Sequence, residues 1–199
     1  MRIVLSDFMS LDGVVQAPGG QGEDTDGGFA HGGWSMPFFD PDTMGPAVSE
    51  TLADTEALVF GRRTWQTMAT AWPGRAGDPF ADRMNEIPKY VASRTLTDDD
   101  LDWASSVLLP ADDAIGAIRE LRARDHGLMQ VMGSASLAAQ LVEQDLVDEY
   151  RLMIEPILLG GGKRVFPSDG QLRALELVSV TPTRTGVLVC TYRRPSAGE

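Results

Sequence analysis

Apolar and polar positions along this 199-residue chain follow two alternating periods, and each change of period marks an element. Arg2 to Met9 reads as a first strand, closed by the turn signal Asp12-Gly13. Ala57 to Phe60, Lys89 to Ala92, Val107 to Leu109 and Leu128 to Met132 are short runs with the composition of buried strands. Between them, Thr43 to Ala53, Gly61 to Met68, Phe80 to Glu86 and Ala111 to Arg124 read as helices. In the last of these, Ala114, Ile115, Ile118 and Leu121 share one apolar face. After Gly133-Ser134-Ala135-Ser136, residues Leu137, Ala138, Leu141 and Val142 recur at helical spacing. That stretch is therefore strand, glycine turn, helix, with two serines as N-cap candidates. Tyr150, Leu152 and Ile154 alternate with Arg151, Met153 and Glu155, a strand with unequal faces that ends or reaches an edge at Pro156. Leu172 to Val180 and Val187 to Arg193 are the last strands, an expected antiparallel hairpin turning at Thr185-Gly186.

Strands alternating with helices predict an α/β domain: a central, mostly parallel sheet flanked by helices and ending in an antiparallel hairpin. One domain is expected over residues 1–195, with a flexible tail at 196–199. The pattern lapses from Gly13 to Gly33, which holds eight of the 21 glycines. A loop of that length predicts a mobile active-site cover, with Glu23, Asp24 and Asp26 repelling one another along it. Trp34, Met36, Phe38 and Phe39 close it, either as core anchors or as an apolar wall for a flat ligand.

Composition acts mainly by exclusion. A formal net charge of −12 argues against nucleic acid or an anionic membrane as partner. It leaves room for an anionic cofactor, since fields are screened beyond roughly 8 Å at physiological salt. No apolar run approaches the roughly 20 residues that span a bilayer, and the N-terminus already reads as a strand, so the expected location is the cytoplasm. One cysteine, Cys190, in an apolar run, excludes an internal disulfide and reads as a buried thiol. With His31 and His126 as the two histidines, no zinc set and no metal site are expected. The G-x-S-x-G of esterases is missing. Gly160-Gly161-Gly162-Lys163 fails the phosphate-loop pattern of triphosphatases, because Arg164 stands where Ser or Thr should bind magnesium. The partner left by these exclusions is a small molecule.

Candidate chemistry gathers where strands end, the place ligands occupy in open α/β sheets. Gly133, Ser134, Ala135, Ser136 and Leu137 offer small residues and a helix N-terminus to a phosphate. Gly61, Arg62, Arg63 and Thr64 offer guanidinium groups that suit a phosphate monoester, and Ser93-Arg94 repeats the theme. Together they suit a dinucleotide carrying an extra phosphate, although G-x-G-x-x-G is absent.

Over almost its whole length the chain resembles the dihydrofolate reductase superfamily, in the branch of the reductase domain of the riboflavin-biosynthesis deaminase–reductase. The resemblance rests on Ser10-Leu11-Asp12-Gly13, Gly32-Gly33-Trp34, Phe60-Gly61-Arg62-Arg63-Thr64-Trp65, Lys89 to Leu96, Gly133-Ser134-Ala135, Leu146 to Glu149 and Pro156 to Gly162. It implies a dihydrofolate-reductase-like fold and NADPH as cofactor. By position, Arg62, Arg63 and Thr64 would hold the 2′-phosphate side, Ser93 and Arg94 the adenosine, and Gly133 to Leu137 the pyrophosphate. Ala17 and Pro18 would lie near the nicotinamide. The segment Trp34 to Asp40 resembles the one that carries the pterin-binding acid, with Asp40 one residue out of step and Asp42 and Glu50 competing for the role. Met132 stands where riboflavin-pathway reductases commonly have glutamate.

The expected activity is an NADPH-dependent reductase delivering hydride to C=N or C=O of a pterin-like, pyrimidine-ribose-like or carbonyl substrate. The rival is a non-catalytic nucleotide-binding or interaction protein that keeps the fold. Asp12 is the first candidate for a polar group at the reacting centre, against a role as turn former. Glu155 is the second, against a role as edge charge, and Asp40 follows from the resemblance. A homodimer is expected from the resemblance and from the exposed sheet edge left by a terminal hairpin.

Overall fold

The computed structural model describes residues 1–75, 77–124 and 126–195; the expected tail at 196–199 lies outside them. Eight strands form one sheet: β1 (Arg2–Ser10), β2 (Thr55–Gly61), β3 (Lys89–Ala92), β4 (Ser106–Leu108), β5 (Leu128–Met132), β6 (Glu149–Glu155), β7 (Glu176–Pro182) and β8 (Leu188–Arg193). Their order is β4-β3-β2-β5-β1-β6-β8-β7. The first six run parallel, and β8 and β7 close one side as the antiparallel hairpin expected from the sequence. Five helices connect them: α1 (Met44–Ala53), α2 (Arg62–Ala71), α3 (Pro79–Glu86), α4 (Ala114–Arg124) and α5 (Ala135–Glu143).

Alternation along the strands sends side chains to two main cores, with a smaller cluster of Met44, Met153 and Val187 beside them. Ile3, Leu5, Met9, Val59, Met129, Val131 and Leu152 pack with Ile118 of α4 and Leu137, Ala138 and Leu141 of α5. Leu58, Phe60 and Val91 point the other way, onto Leu52 of α1, Trp65 of α2, Met84 of α3 and Trp103. Cys190 is buried, as its apolar run implied. No helix among the described residues is long and apolar enough to cross a membrane.

Among the boundaries that differ from the pattern, three have clear local reasons. β7 starts at Glu176 rather than Leu172, because Leu172 projects into solvent and Arg173 is drawn aside by Asp169 and Asp145. α4 starts at Ala114 rather than Ala111, where the Asp113 carboxylate accepts from Gly116 N. α3 gains Pro79 at its first turn and is capped by Asp78, which accepts from Phe80 N and Ala81 N.

Register determines where a ligand can enter. β1 pairs with β5 as far as Ser6↔Met132, yet it continues against β6 to Ser10↔Glu155. Beyond Ser6, β1 and β5 part.

Lys89 supports the far side of the sheet. It is fully buried at the start of β3, where its ammonium donates to the carbonyls of Asn85 (3.0 Å), Ile87 (2.7 Å) and Ala104 (2.9 Å) and lies 4.6 Å from the Trp103 ring centroid. Burial lowers its pKa to about 8, and the three acceptors and the ring explain why a charge is kept there. Lys89→Met fills similar volume but strips three carbonyls of their donor. We expect it to lower unfolding free energy by about 2–4 kcal/mol, measured by urea denaturation at pH 7.

Candidate functional site

A cleft of about 2050 Å³ runs along the strand ends, over the part of β1 left uncovered by β5, and on across β6, β8 and β7 beside α1. Three of its walls are strand-end turns anticipated from the sequence. The β2–α2 turn contributes Gly61, Arg62, Arg63 and Thr64, the β3 end contributes Ser93 and Arg94, and the β5–α5 turn contributes Gly133 to Leu137.

The β5–α5 turn is built unlike an ordinary capped helix start. Gly133 and Ser134 both take left-handed conformations, at φ 58° and 61°. Glycine adopts this freely, whereas serine does so at a cost that its surroundings must offset. Ser134 occupies the N-cap position but does not cap α5, correcting the sequence expectation. Its Oγ instead accepts from Gly61 N at 2.8 Å, joining the β5–α5 turn to the β2–α2 turn. α2, with Gly61 at its N-cap, also has no side-chain cap. Two helix N-termini thus present uncapped amides to one cleft, an arrangement suited to phosphate oxygens.

The nearby arginines divide by partner. Arg63 is engaged, contacting Asp24 at 3.2 Å and Asp26 at 2.5 Å. Arg62 reaches the neutral Gln66, and Arg94 has neither ion pair nor side-chain hydrogen bond among the described residues. Ser93 turns inward, its Oγ accepting from Thr95 N and Leu96 N to shape the turn.

The early loop forms the opposite wall, and its acids do not simply repel. Lys163 contacts Asp24 at 2.5 Å and Asp26 at 2.8 Å, so two cations hold the two aspartates. Gln16 donates to the carbonyls of Asp24 and Asp26 and accepts from Trp34 through its own carbonyl. Ala17 lines the cleft at φ 50°, and Gly33 N and Ser35 N bond back to the carbonyls of Ala17 and Pro18. The aromatic end of the loop takes both anticipated roles: Trp34 is buried, while Met36 and Phe39 are exposed on the cleft.

None of the three catalytic candidates Asp12, Asp40 and Glu155 lines this cleft, nor does Asp42, whereas Glu50 of α1, the other competitor for the pterin acid, does. Asp12 accepts from Ser10 Oγ (2.6 Å), Leu159 N (3.1 Å) and Gly160 N (2.9 Å), and meets Arg164. It fastens the glycine-rich loop after β6 to the turn after β1, the turn-forming alternative. The Ser10 hydroxyl and Leu159 amide hold its pKa down to about 2. Asp40 is buried but committed to Arg184 and Asp42 N, and the Arg184 hydrogen bond holds its carboxyl below the ordinary range. Glu155 is fully buried, so it is no edge charge, and it sits behind the wall. Its Oε1 accepts from Ser35 Oγ at 2.7 Å, its Oε2 has no partner among the described residues, and burial raises its pKa to about 7.

Asp7 was missed. It lies one residue past the last β1–β5 pair, lines the cleft, and is only 7% exposed. Its Oδ2 is buried without a hydrogen-bond partner among the described residues. Burial raises its pKa well above the carboxylate range, and Glu23 and Glu155 push it further. A signal was available: Asp7 interrupts the inward series Ile3, Leu5, Met9.

Comparison with protein families matches residues 2–189 to the RibD C-terminal domain. The uncharacterized protein YyaP of Bacillus subtilis (strain 168) is 26% identical over 196 residues, 96% of this chain and 94% of its own. Among solved structures, a pyrimidine reductase-like protein from Corynebacterium diphtheriae superposes with TM-score 0.67 at 16% identity, covering 98% of this chain and 92% of the other. The diaminohydroxyphosphoribosylaminopyrimidine deaminase/5-amino-6-(5-phosphoribosylamino)uracil reductase of Thermotoga maritima superposes with TM-score 0.63 at 14% identity, covering 98% of this chain and 56% of the other. At such identities the two structures establish the fold.

The Asp12 clamp predicts a pH dependence of stability. Its folded pKa of about 2 lies below the ordinary 3.8, so its stabilisation is complete above about pH 4 and is lost as pH falls toward 2. Asp12→Asn should lower the urea midpoint at pH 6 and flatten the fall in midpoint between about pH 4 and 2.

Proposed function

Since the chain belongs to the RibD C-terminal domain family, we propose that it is an NADPH-dependent reductase of a small molecule. The observation that carries this reading is the pair of uncapped helix N-termini joined by the Gly61–Ser134 hydrogen bond, with Arg62 and Arg94 beside them. These residues fit a dinucleotide with a third phosphate. Within the Gly133 to Leu137 turn, Gly133 N and Leu137 N already donate to the Ser6 and Ser134 carbonyls. The amides of Ser134, Ala135 and Ser136 would take the pyrophosphate, and Arg62, Arg94 and Thr64 the 2′-phosphate. Arg63 would join them by exchanging its aspartates, and Ser93 would lie at the adenosine. Ala17 and Pro18 would flank the nicotinamide. When bound, NADPH supplies the hydride, directed to C=N or C=O of a pterin-like, pyrimidine-ribose-like or carbonyl substrate.

The protein's part is to position and enclose. Met36, Phe39 and Phe8 offer a flat substrate apolar surface next to the β1 gap. The unpartnered acid in that gap favours an enzyme over a non-catalytic binder, because an idle buried carboxyl is costly to keep. Net charge and the single buried cysteine are consistent with a cytoplasmic protein acting on small molecules rather than nucleic acid.

Two measurements test this reading. Calorimetric titration should give tighter binding of NADPH than NADH. Joint replacement Arg62→Ala/Arg94→Ala should weaken NADPH by roughly 10- to 150-fold while changing NADH little. Equal affinities in the wild type would overturn the cofactor assignment.

A homodimer is part of the same proposal. β7 is the sheet edge, exposed along its length, with Leu177, Val178 and Val180 each about half exposed. Such an edge invites a second copy. Sedimentation at micromolar concentration should show about twice 21.5 kDa, and Val178→Lys/Val180→Lys should shift it toward the monomer.

A further inference from the structure

We infer that Asp7 is the proton donor of the reduction, recharged from solvent through Glu23. The inference rests on the reductase reading above. Reducing C=N or C=O consumes a hydride at carbon and a proton at nitrogen or oxygen, and a dihydronicotinamide supplies only the hydride.

Placement singles out Asp7. It stands where β1 has left β5 and is still paired to β6 through Leu152, so its backbone is held while its side chain borders the gap. Its Oδ2 is shielded from solvent and has no partner among the described residues. An acid in that condition is complementary to a ligand atom that accepts a hydrogen bond. The charged groups acting on it are Glu23 from the early loop and Glu155 from β6, both acidic. With two acidic neighbours and little solvent, the neutral carboxyl is the stable form, which a general acid requires.

Glu23 provides a route outward. It lies on the rim of the same cleft, half-buried, and its Oε2 accepts from Gly19 N at 2.8 Å and Gly20 N at 3.1 Å. Those bonds hold the carboxylate at the cleft, where its charge acts on Asp7. Glu155 does not line the cleft and is held by Ser35, so it acts on Asp7 as a neighbouring charge.

The step balances as follows. Hydride adds to carbon, the π bond to nitrogen or oxygen breaks, and the Asp7 O–H gives its proton to that heteroatom. The substrate gains two electrons and two hydrogens, and the dihydronicotinamide is oxidised. The Asp7 carboxylate then takes a proton from Glu23, which takes one from water.

The test uses the full chain, with Asp7→Asn and Glu23→Gln. NADPH is offered with dihydrofolate, 4-nitrobenzaldehyde and a 5-aminouracil riboside in turn. Failure of wild type to bind NADPH or reduce any of the three sinks the reductase reading and this inference with it. With turnover established, Asp7→Asn should lower kcat by about 10²–10⁴-fold with NADPH affinity unchanged. The wild-type rate should fall as pH rises through the ionisation of Asp7, and Asp7→Asn should abolish that fall. Infrared spectra of the NADP⁺ complex at pH 7 should contain a neutral carboxyl band that Asp7→Asn removes. Glu23→Gln should keep that band, slow its exchange with deuterium and lower kcat less than Asp7→Asn does. Retention of kcat within threefold in Asp7→Asn, or no neutral carboxyl assignable to Asp7, would overturn the proposal.

Discussion

Between Ser6 and Ser10, β1 is hydrogen-bonded to β6 on one side, while on the other β5 has already turned away at Gly133. A parallel strand in a sheet covered on both faces rarely leaves one side open, because its polar backbone needs partners. The parting places a polar slot in the middle of the sheet, next to the N-terminus of α5. The phosphate-suited turns, the acid of the slot and the loop above it all take their positions from that divergence. A longer β5 would close the slot, and the remaining elements would have no common cavity to face.

Much of this was legible from one sequence because the signals are short-range. The alternation of strands and helices, the terminal hairpin and the three strand-end turns follow from apolar period and glycine placement, which act over a few residues. The site acids were harder. Asp12 sits in a motif that invites a catalytic reading, but its carboxylate meets amides 147 and 148 residues away, a contact no local pattern encodes. Asp40 is likewise claimed by Arg184, 144 residues on. Asp7 passed unremarked inside a strand because its isolation depends on where another strand stops. Ser134 shows a finer limit, since its position in the helix was foreseeable and its hydrogen-bond partner was not.

Charge in the early loop follows the same logic. Counted along the chain, Glu23, Asp24 and Asp26 are an acidic cluster expected to stay apart. In space, Lys163 and Arg63 reach Asp24 and Asp26 and turn them into a four-membered network of alternating sign. Glu23 is left to backbone amides alone. The loop is therefore fastened at two aspartates, each held both by Lys163 beyond β6 and by Arg63 of α2, while its glutamate stays directed to the cleft.

The hydrogen bond from Gly61 N to Ser134 Oγ has a consequence for how strongly such a cleft can discriminate. Two anion-receiving helix ends that were free to move apart would adjust to many ligands and select among them poorly. Tied together, they form a ruler of fixed length. On the proposed cofactor reading, a ligand whose two anionic groups match that length would meet both ends at once, with the second contact formed at high effective concentration. One with a shorter or longer spacer meets a single end and gains only that end's attraction. On that same reading, a serine held in an unfavourable left-handed conformation would set a molecular measure through a hydroxyl withdrawn from capping α5.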